Sequence, residues 1–339
     1  MTTTLLNKEK TIEKDVDKLV SSADVLINNT ISKINYELIK LYWSIGKLVY
    51  DYKSENNSDY GTSVIKHFSE ELYVKHGASF NWRNIYHAIR FYEIFPILNT
   101  CSKSNTSWHL DAKFYNVSWS HIRELLRFKD EKIINHYLNE IETKKLTIEE
   151  LLTTIKSKSF ERTISNQRKG KLKNEIEKNL KDPIILNIYN KKRSEKELEK
   201  EILSNISNFK REIGSQVMFF ESQYKINIKG LIHKVDLVFF DNDINSYILV
   251  DLKINKVTNR DFFQMRMYID YFNKYMKKDR FNNTIGIILC ETKDARIETN
   301  DEIYQVKYLN DIPKDKELLR LINENKIILL KTENLKLDK

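Results

Sequence analysis

Three short runs constrain this fold most: Val235–Phe240, Tyr247–Ile254 and Ile285–Cys290. The last is apolar throughout, the pattern of a strand covered on both faces. Helical spacing precedes these runs over 194–213 and returns in RDFFQMRMYIDYFNKYM, so strands and helices alternate along the chain. That order predicts an α/β sheet flanked by helices. Lys229-Gly230 marks a hairpin between the first run and a preceding strand, QVMFFESQYKINI, and DNDINS reads as a loop.

Upstream of this region the chain reads as helices alone. Ile27, Ile31, Ile34, Leu38, Leu41, Ile45 and Leu48 recur at alternating steps of four and three, which gives one apolar seam. Such a seam suits a coiled coil or a long bundle helix; Tyr42, Trp43 and Val49 widen it toward the bundle. Gly77 separates VIKHFSEELYVKH from a helix that Pro96 ends, and this pair could form a helix-turn-helix with Asn81, Arg83, Asn84, His87 and Arg90 toward DNA. Trp43, Trp82, Trp108 and Trp119 are expected in the core.

At 339 residues, 41% hydrophobic and 31% charged, the chain is long enough for about two domains and is neither a disordered chain nor a disulfide scaffold. Cys101 and Cys290 match no metal-ligand spacing, the N-terminus turns charged before a signal core can form, and no run approaches the ~18 apolar residues of a membrane span. A cytoplasmic protein with no membrane partner is expected. The net charge is +9, and residues 151–200 hold 14 basic against 7 acidic side chains. Arg168, Lys169, Lys171 and Lys173 sit in that stretch, which suits either a polyanion partner or a solvated spacer.

The chemistry concentrates on the strands. Alternation puts Ile248, Val250, Leu252 and Ile254 on one face and Tyr247, Leu249, Asp251 and Lys253 on the other. Asp236 lies inside the preceding apolar run, where an unanswered carboxylate would be very costly. Two arrangements answer it. Asp236 or Asp251 pairs with Lys253 as a buried ion pair, or both carboxylates gather around a divalent cation of the Mg²⁺ kind, which favours oxygen ligands. On the helix before the strands, Glu199 lies in the stripe of Ile202, Ile206, Phe209 and Ile213, whereas Glu201 falls on the polar face. On the helix after them, Gln264 and Tyr268 share one surface.

Glu, then Asp on a strand, then D-x-K on the next, then Gln on a helix resembles the PD-(D/E)xK nuclease superfamily. YWSIGKL, YGTSVIKHFSEEL, VSWSHIRELLRF, KDPIILNIY, LEKEI, VDLVFF, DLK, QMRMY and IGIILC extend the likeness to its YhcG-like members, from Tyr42 to about Arg320. Asp251 stands where that family usually has Glu, and Asn255, Asn259 and Phe263 stand where it favours Gly, Pro and Gly. The resemblance implies an all-α N-terminal recognition or dimerisation module over 1–160 and a basic connector over 161–193. A restriction-endonuclease-like mixed sheet flanked by helices would follow over 194–339. It further implies Asp236, Asp251 and the Leu252 carbonyl as ligands of Mg²⁺ (or Mn²⁺), and Glu199 completing the site. Lys253 would serve beside the attacking water and Gln264 would contact the nucleophile or phosphate. The function implied is a Mg²⁺-dependent DNA endonuclease, a dimer in defence or mobile-element traffic. The alternatives are a non-catalytic DNA-binding or assembly protein that keeps the nuclease fold, and an RNA-directed nuclease.

Overall fold

The computed structural model describes residues 2–56, 61–96, 114, 116–165, 176, 179–188, 194–214, 216–294, 296–297 and 302–324. The chain divides into two compact units, Met1–Leu152 and Thr153–Lys339. Trp108, Arg168, Lys169, Lys171 and Lys173 lie outside the described residues. No described helix is long and apolar enough to cross a membrane.

The first unit is helical. Its elements are α1 (Thr2–Asn56), α2 (Gly61–His76), α3 (Trp82–Ile94), α4 (Trp119–Leu125), α5 (Glu131–Lys144) and the start of α6 (Ile148–Lys156). Asn81 begins α3, its side chain accepting the Asn84 N–H at 3.0 Å, and Ser118 closes a capping box at the start of α4. The core differs from the expected seam by one residue. Ile39, Tyr42, Gly46 and Val49 face the unit's interior, each one step beyond Leu38, Leu41, Ile45 and Leu48. Ile27, Ile31, Ile34, Leu41 and Leu48 are exposed. Gly46 sets the choice of face, because a Cβ there would overlap the Ala88 carbonyl where α1 crosses α3. Tyr42 stacks on Trp119 at 4.1 Å, and the Trp43 indole donates to the Phe95 carbonyl. Trp82 corrects the expectation of a core residue: it is half exposed at the rim of a cavity of about 550 Å³ that Tyr73 and Val74 also line.

The second unit is built on one mixed sheet. Its strands are β1 (Ile184–Ile185), β2 (Val217–Ile228), β3 (Leu231–Asp241), β4 (Ser246–Lys256), β5 (Ile285–Thr292) and β6 (Ile303–Leu309), in the order β1-β6-β5-β4-β3-β2. The β2–β4 meander is antiparallel and the remaining pairs are parallel. Lys229 and Gly230 turn the hairpin with φ of 51° and 86°, the pair of left-handed residues that matches strand twist. Ile248, Val250 and Leu252 join Ile202, Phe209 and Ile213 in one core layer. Tyr247 and Leu249 join Met265, Tyr268, Ile269 and Phe272 of α10 (Asn259–Tyr275) in the other. The single helix expected over 194–213 is two, α8 (Glu195–Ser204) and α9 (Ile206–Ile213), because Asn205 leaves helical geometry at φ −127°, ψ 43°.

One buried charge ties three segments of this unit together. Glu212 of α9 accepts from Arg162 of α7 (Ser159–Ser165), from Lys181 at 3.2 Å and from the Ile185 N–H of β1 at 2.9 Å. Arg162 is wholly buried and also donates to the Ser157 and Pro183 carbonyls. Part of the positive charge in 151–200 is therefore neutralised internally. Burial alone would push the Glu212 carboxyl up; the Arg162 and Lys181 charges and the hydrogen bonds outweigh it and bring it to about 2.

Glu212→Ala should lower unfolding free energy by about 3–5 kcal/mol at pH 7, since two cations are left buried without an acid. Because the folded carboxyl titrates below the ordinary 4.5, its contribution is complete above that value and fades as pH falls toward 2. Urea unfolding at pH 7 and pH 3 should show the gap between wild type and variant narrowing in acid. An equal gap at both pH values would contradict the linkage.

Candidate active site

The expected site residues meet where the β3–β4 ladder opens. Backbone pairing runs from Asp241 opposite Ser246 to Leu237 opposite Val250. Beyond it the Asp236 carboxylate takes over, accepting the Leu252 N–H at 2.8 Å. Asp251, 2% exposed, lies between Val250 and Leu252 on β4. Lys253 Nζ stands 2.6 Å from Asp251 Oδ2 and donates to the Leu252 carbonyl at 3.4 Å. The contact with Asp251 is close but poorly aligned, so that buried oxygen has no aligned hydrogen-bond donor.

Glu199 approaches from α8. The Gln223 amide donates to its carboxylate at 2.6 Å and to Asp236 Oδ1 at 3.2 Å, bridging two acids with one neutral donor. On α10, Gln264 donates to the Tyr268 hydroxyl at 2.6 Å, and that hydroxyl donates to the Lys234 carbonyl. Tyr268 feels the charges of Asp251, Asp236 and Lys253, which puts this helix face beside the acids. Asp261, at the start of α10, lies 3.9 Å from Lys253 Nζ.

Burial dominates the electrostatics. It pushes Asp251 up to about 7, with Asp236 and Asp261 adding to the rise against the opposing pull of Lys253. It also raises Asp236 and Glu199, each partly relieved by Gln223. For Lys253, burial works against the charge but the Asp251 carboxylate prevails, and its pKa rises. Lys253 is therefore an ammonium at neutral pH.

The donors are oxygens of the kind a hard cation takes, two carboxylates and the Leu252 carbonyl. Asp251 Oδ2 is a buried acceptor whose one close neighbour, Lys253, makes no aligned hydrogen bond to it. Among the described residues no three His, Cys, Asp or Glu side chains converge as a metal-holding group. The chemistry of the donor set fits a cation that Asp236, Asp251 and the Leu252 carbonyl would hold.

Sequence reasoning misses Gln223 and Asp261. Asp261 belongs to a capping box with Thr258, a readable signal for a helix start but not for its second neighbour, Lys253. Gln223 gives no signal. It enters the site because the β2–β3 register shifts between Phe219 and Glu221 and Gln223 adopts φ 52°. Asn84, expected toward DNA, is buried, and its amide is committed to the Ser79 carbonyl and to Arg123. Arg83 is exposed and Arg90 half-buried on the same helix.

Comparison with known proteins matches residues 177–316 to the YhcG PDDEXK nuclease domain and residues 16–162 to the DUF1016 N-terminal domain. A curated relative, "Putative nuclease YhcG" of Escherichia coli (strain K12), is 24% identical over 312 residues, spanning 82% of this chain and 83% of that protein. The crystal structure of a repair endonuclease from Pyrococcus abyssi aligns at a TM-score of 0.26 and 19% identity, over 37% of this chain and 50% of its own.

Asp251→Asn should stabilise the metal-free protein at neutral pH. A carboxyl whose folded pKa is raised favours the fold below the unfolded value near 3.8, and that contribution is lost as pH rises to about 7. Thermal melts in chelator should show the variant's advantage growing between pH 4 and 7, then levelling, with a plateau on the order of a few kcal/mol. An advantage independent of pH would contradict the assignment.

Proposed function

This chain carries a YhcG-like PDDEXK nuclease domain behind an N-terminal helical DUF1016 domain, and on that premise we propose that it is a Mg²⁺-dependent DNA endonuclease. The observation that carries the reading is the opening of the β3–β4 ladder, which gathers Asp236, Asp251 and Lys253 at one point of the sheet. Asp236, Asp251 and the Leu252 carbonyl would hold the cation, with Glu199 behind them. When bound, it would neutralise phosphodiester charge and acidify a water molecule.

The chain's own groups do the rest. Lys253, an ammonium, holds the attacking water by donation and offsets charge on the phosphoryl oxygens. Its raised pKa makes it a poor base. Gln223 keeps Glu199 and Asp236 apart by less than their repulsion would, because its amide donates to both. Gln264, whose amide donates to the Tyr268 hydroxyl, would make the contact to the phosphate or the nucleophile.

One observation favours a second reading, a DNA-binding protein without catalysis: the direct Lys253–Asp251 contact is the ion pair that would neutralise the site with no cation. The two part on a simple assay. Purified full-length protein with Mg²⁺ should cut duplex DNA, and Asp236→Ala and Lys253→Ala should each reduce the rate on the order of 10³-fold while keeping the helical and strand signal. Calorimetric titration with Mn²⁺ should show binding lost in Asp236→Ala. Wild type that binds neither Mn²⁺ nor cuts any substrate supports the second reading. Cleavage of RNA but not DNA would correct the substrate.

A further inference from the structure

Arg83, His87 and Arg90 stand at i, i+4 and i+7 on α3, hence on one face of that helix. Helix α4 brings Arg123 alongside, its guanidinium donating to the Asn84 side-chain Oδ1 at 3.4 Å. Asn84 is itself fixed by its donation to the Ser79 carbonyl at 3.0 Å. Arg123 is thus tethered by a neutral amide, not by an acid. Among the described residues no carboxylate pairs with Arg83, Arg90 or Arg123. The buried Nε atoms of Arg90 and Arg123 and Nδ1 of His87 have no hydrogen-bond partner.

The electrostatics agree with this geometry. The His87 pKa is lowered by burial first and then by Arg123, Arg83 and Arg90, with Glu124 the opposing charge. Three guanidinium groups therefore act on one imidazole. Packing like charges together, with buried donors unanswered, is costly unless an anion completes the group. Guanidinium groups match phosphate oxygens in geometry and stay charged at every relevant pH. Trp82 and Tyr86 are exposed on the same helix with rings 5.7 Å apart, a surface on which bases can lie. A nucleic acid presents both phosphate and base; a free phosphate does not.

We propose that Arg83, His87 and Arg90 of α3 and Arg123 of α4 form a phosphate-binding site on the N-terminal unit that grips the backbone of a nucleic acid. The identity of that ligand rests on the nuclease reading. Relative to the sequence expectation, Asn84 becomes the brace behind the site, and Arg123, nearly forty residues away in sequence, becomes part of it.

The test is a salt titration of binding to labelled duplex DNA by the full chain, in Ca²⁺ to suppress cutting. Replacing Arg83, Arg90 and Arg123 together by Gln should weaken binding at least about tenfold at physiological salt and reduce the slope of log affinity against log salt by about 2–3. Arg83→Gln alone, at an exposed position that the fold does not need, should reduce the slope by about 0.9. The triple Lys replacement should restore most of the slope. Wild-type affinity and slope in both Gln variants would overturn the proposal, as would a wild type that binds no nucleic acid. A wild type that binds yet cuts nothing with Mg²⁺ defeats the nuclease reading and leaves this site standing. A wild type that cuts while the Gln variants bind unchanged defeats this site alone.

Discussion

A carboxylate buried within or against the sheet must have its charge answered, and the second unit is organised around that requirement. Asp251 has Lys253, Glu212 has Arg162 and Lys181, and Asp182 has Lys293 and the Lys307 N–H. The answers differ in completeness. Glu212 is surrounded by aligned donors and held well below its ordinary value, whereas Asp251 is met by one misaligned ammonium and driven far above its own. Well-satisfied ion groups brace a fold; a poorly satisfied one is strain retained where chemistry needs it. That contrast within one unit is what singles out Asp251 as the candidate for chemistry and Glu212 as a brace.

Much of this was legible in the sequence because periodicity and burial go together. The alternation in Tyr247–Ile254 assigns each side chain to the face the structure shows, and the acid within Val235–Phe240 points to the position where the ladder opens. Glu199 emerges from the helical stripe since Ile202, Phe209 and Ile213 bury the same side. What stayed hidden depends on irregularity. Gln223 reaches the acids through a shifted register and a left-handed backbone, and neither leaves a mark on residue type. β6 escaped notice because its polar Gln305 and Lys307 interrupt the apolar pattern.

In the helical unit the error was one of phase. The seam Ile27–Leu48 is real as a pattern, but the interior takes the neighbouring residues because Gly46 lets α3 approach there and nowhere along the more apolar row. Apolar content predicts that a face will be buried; the small residue decides which face a partner helix can reach. The same logic places Trp82 at a rim despite its size, since Asn81 starts α3 and fixes the angular position of every residue after it.

The pairing of β1 with β6 has a consequence for how the molecule comes into being. Ile184 meets Tyr308 and Ile185 meets Leu309, so this edge of the sheet closes across more than a hundred residues. By contrast, β2, β3 and β4 are a meander of neighbours that can pair as soon as they emerge. Contacts of long sequence separation form late, because the loop must be closed before they return any stabilisation. On a ribosome, the strands bearing Asp236 and Asp251 are complete while the opposite edge still lacks its partner. The acids are therefore held by a half-built sheet until the chain passes Leu309, and the last strand pairing closes the edge of the sheet that lies away from them.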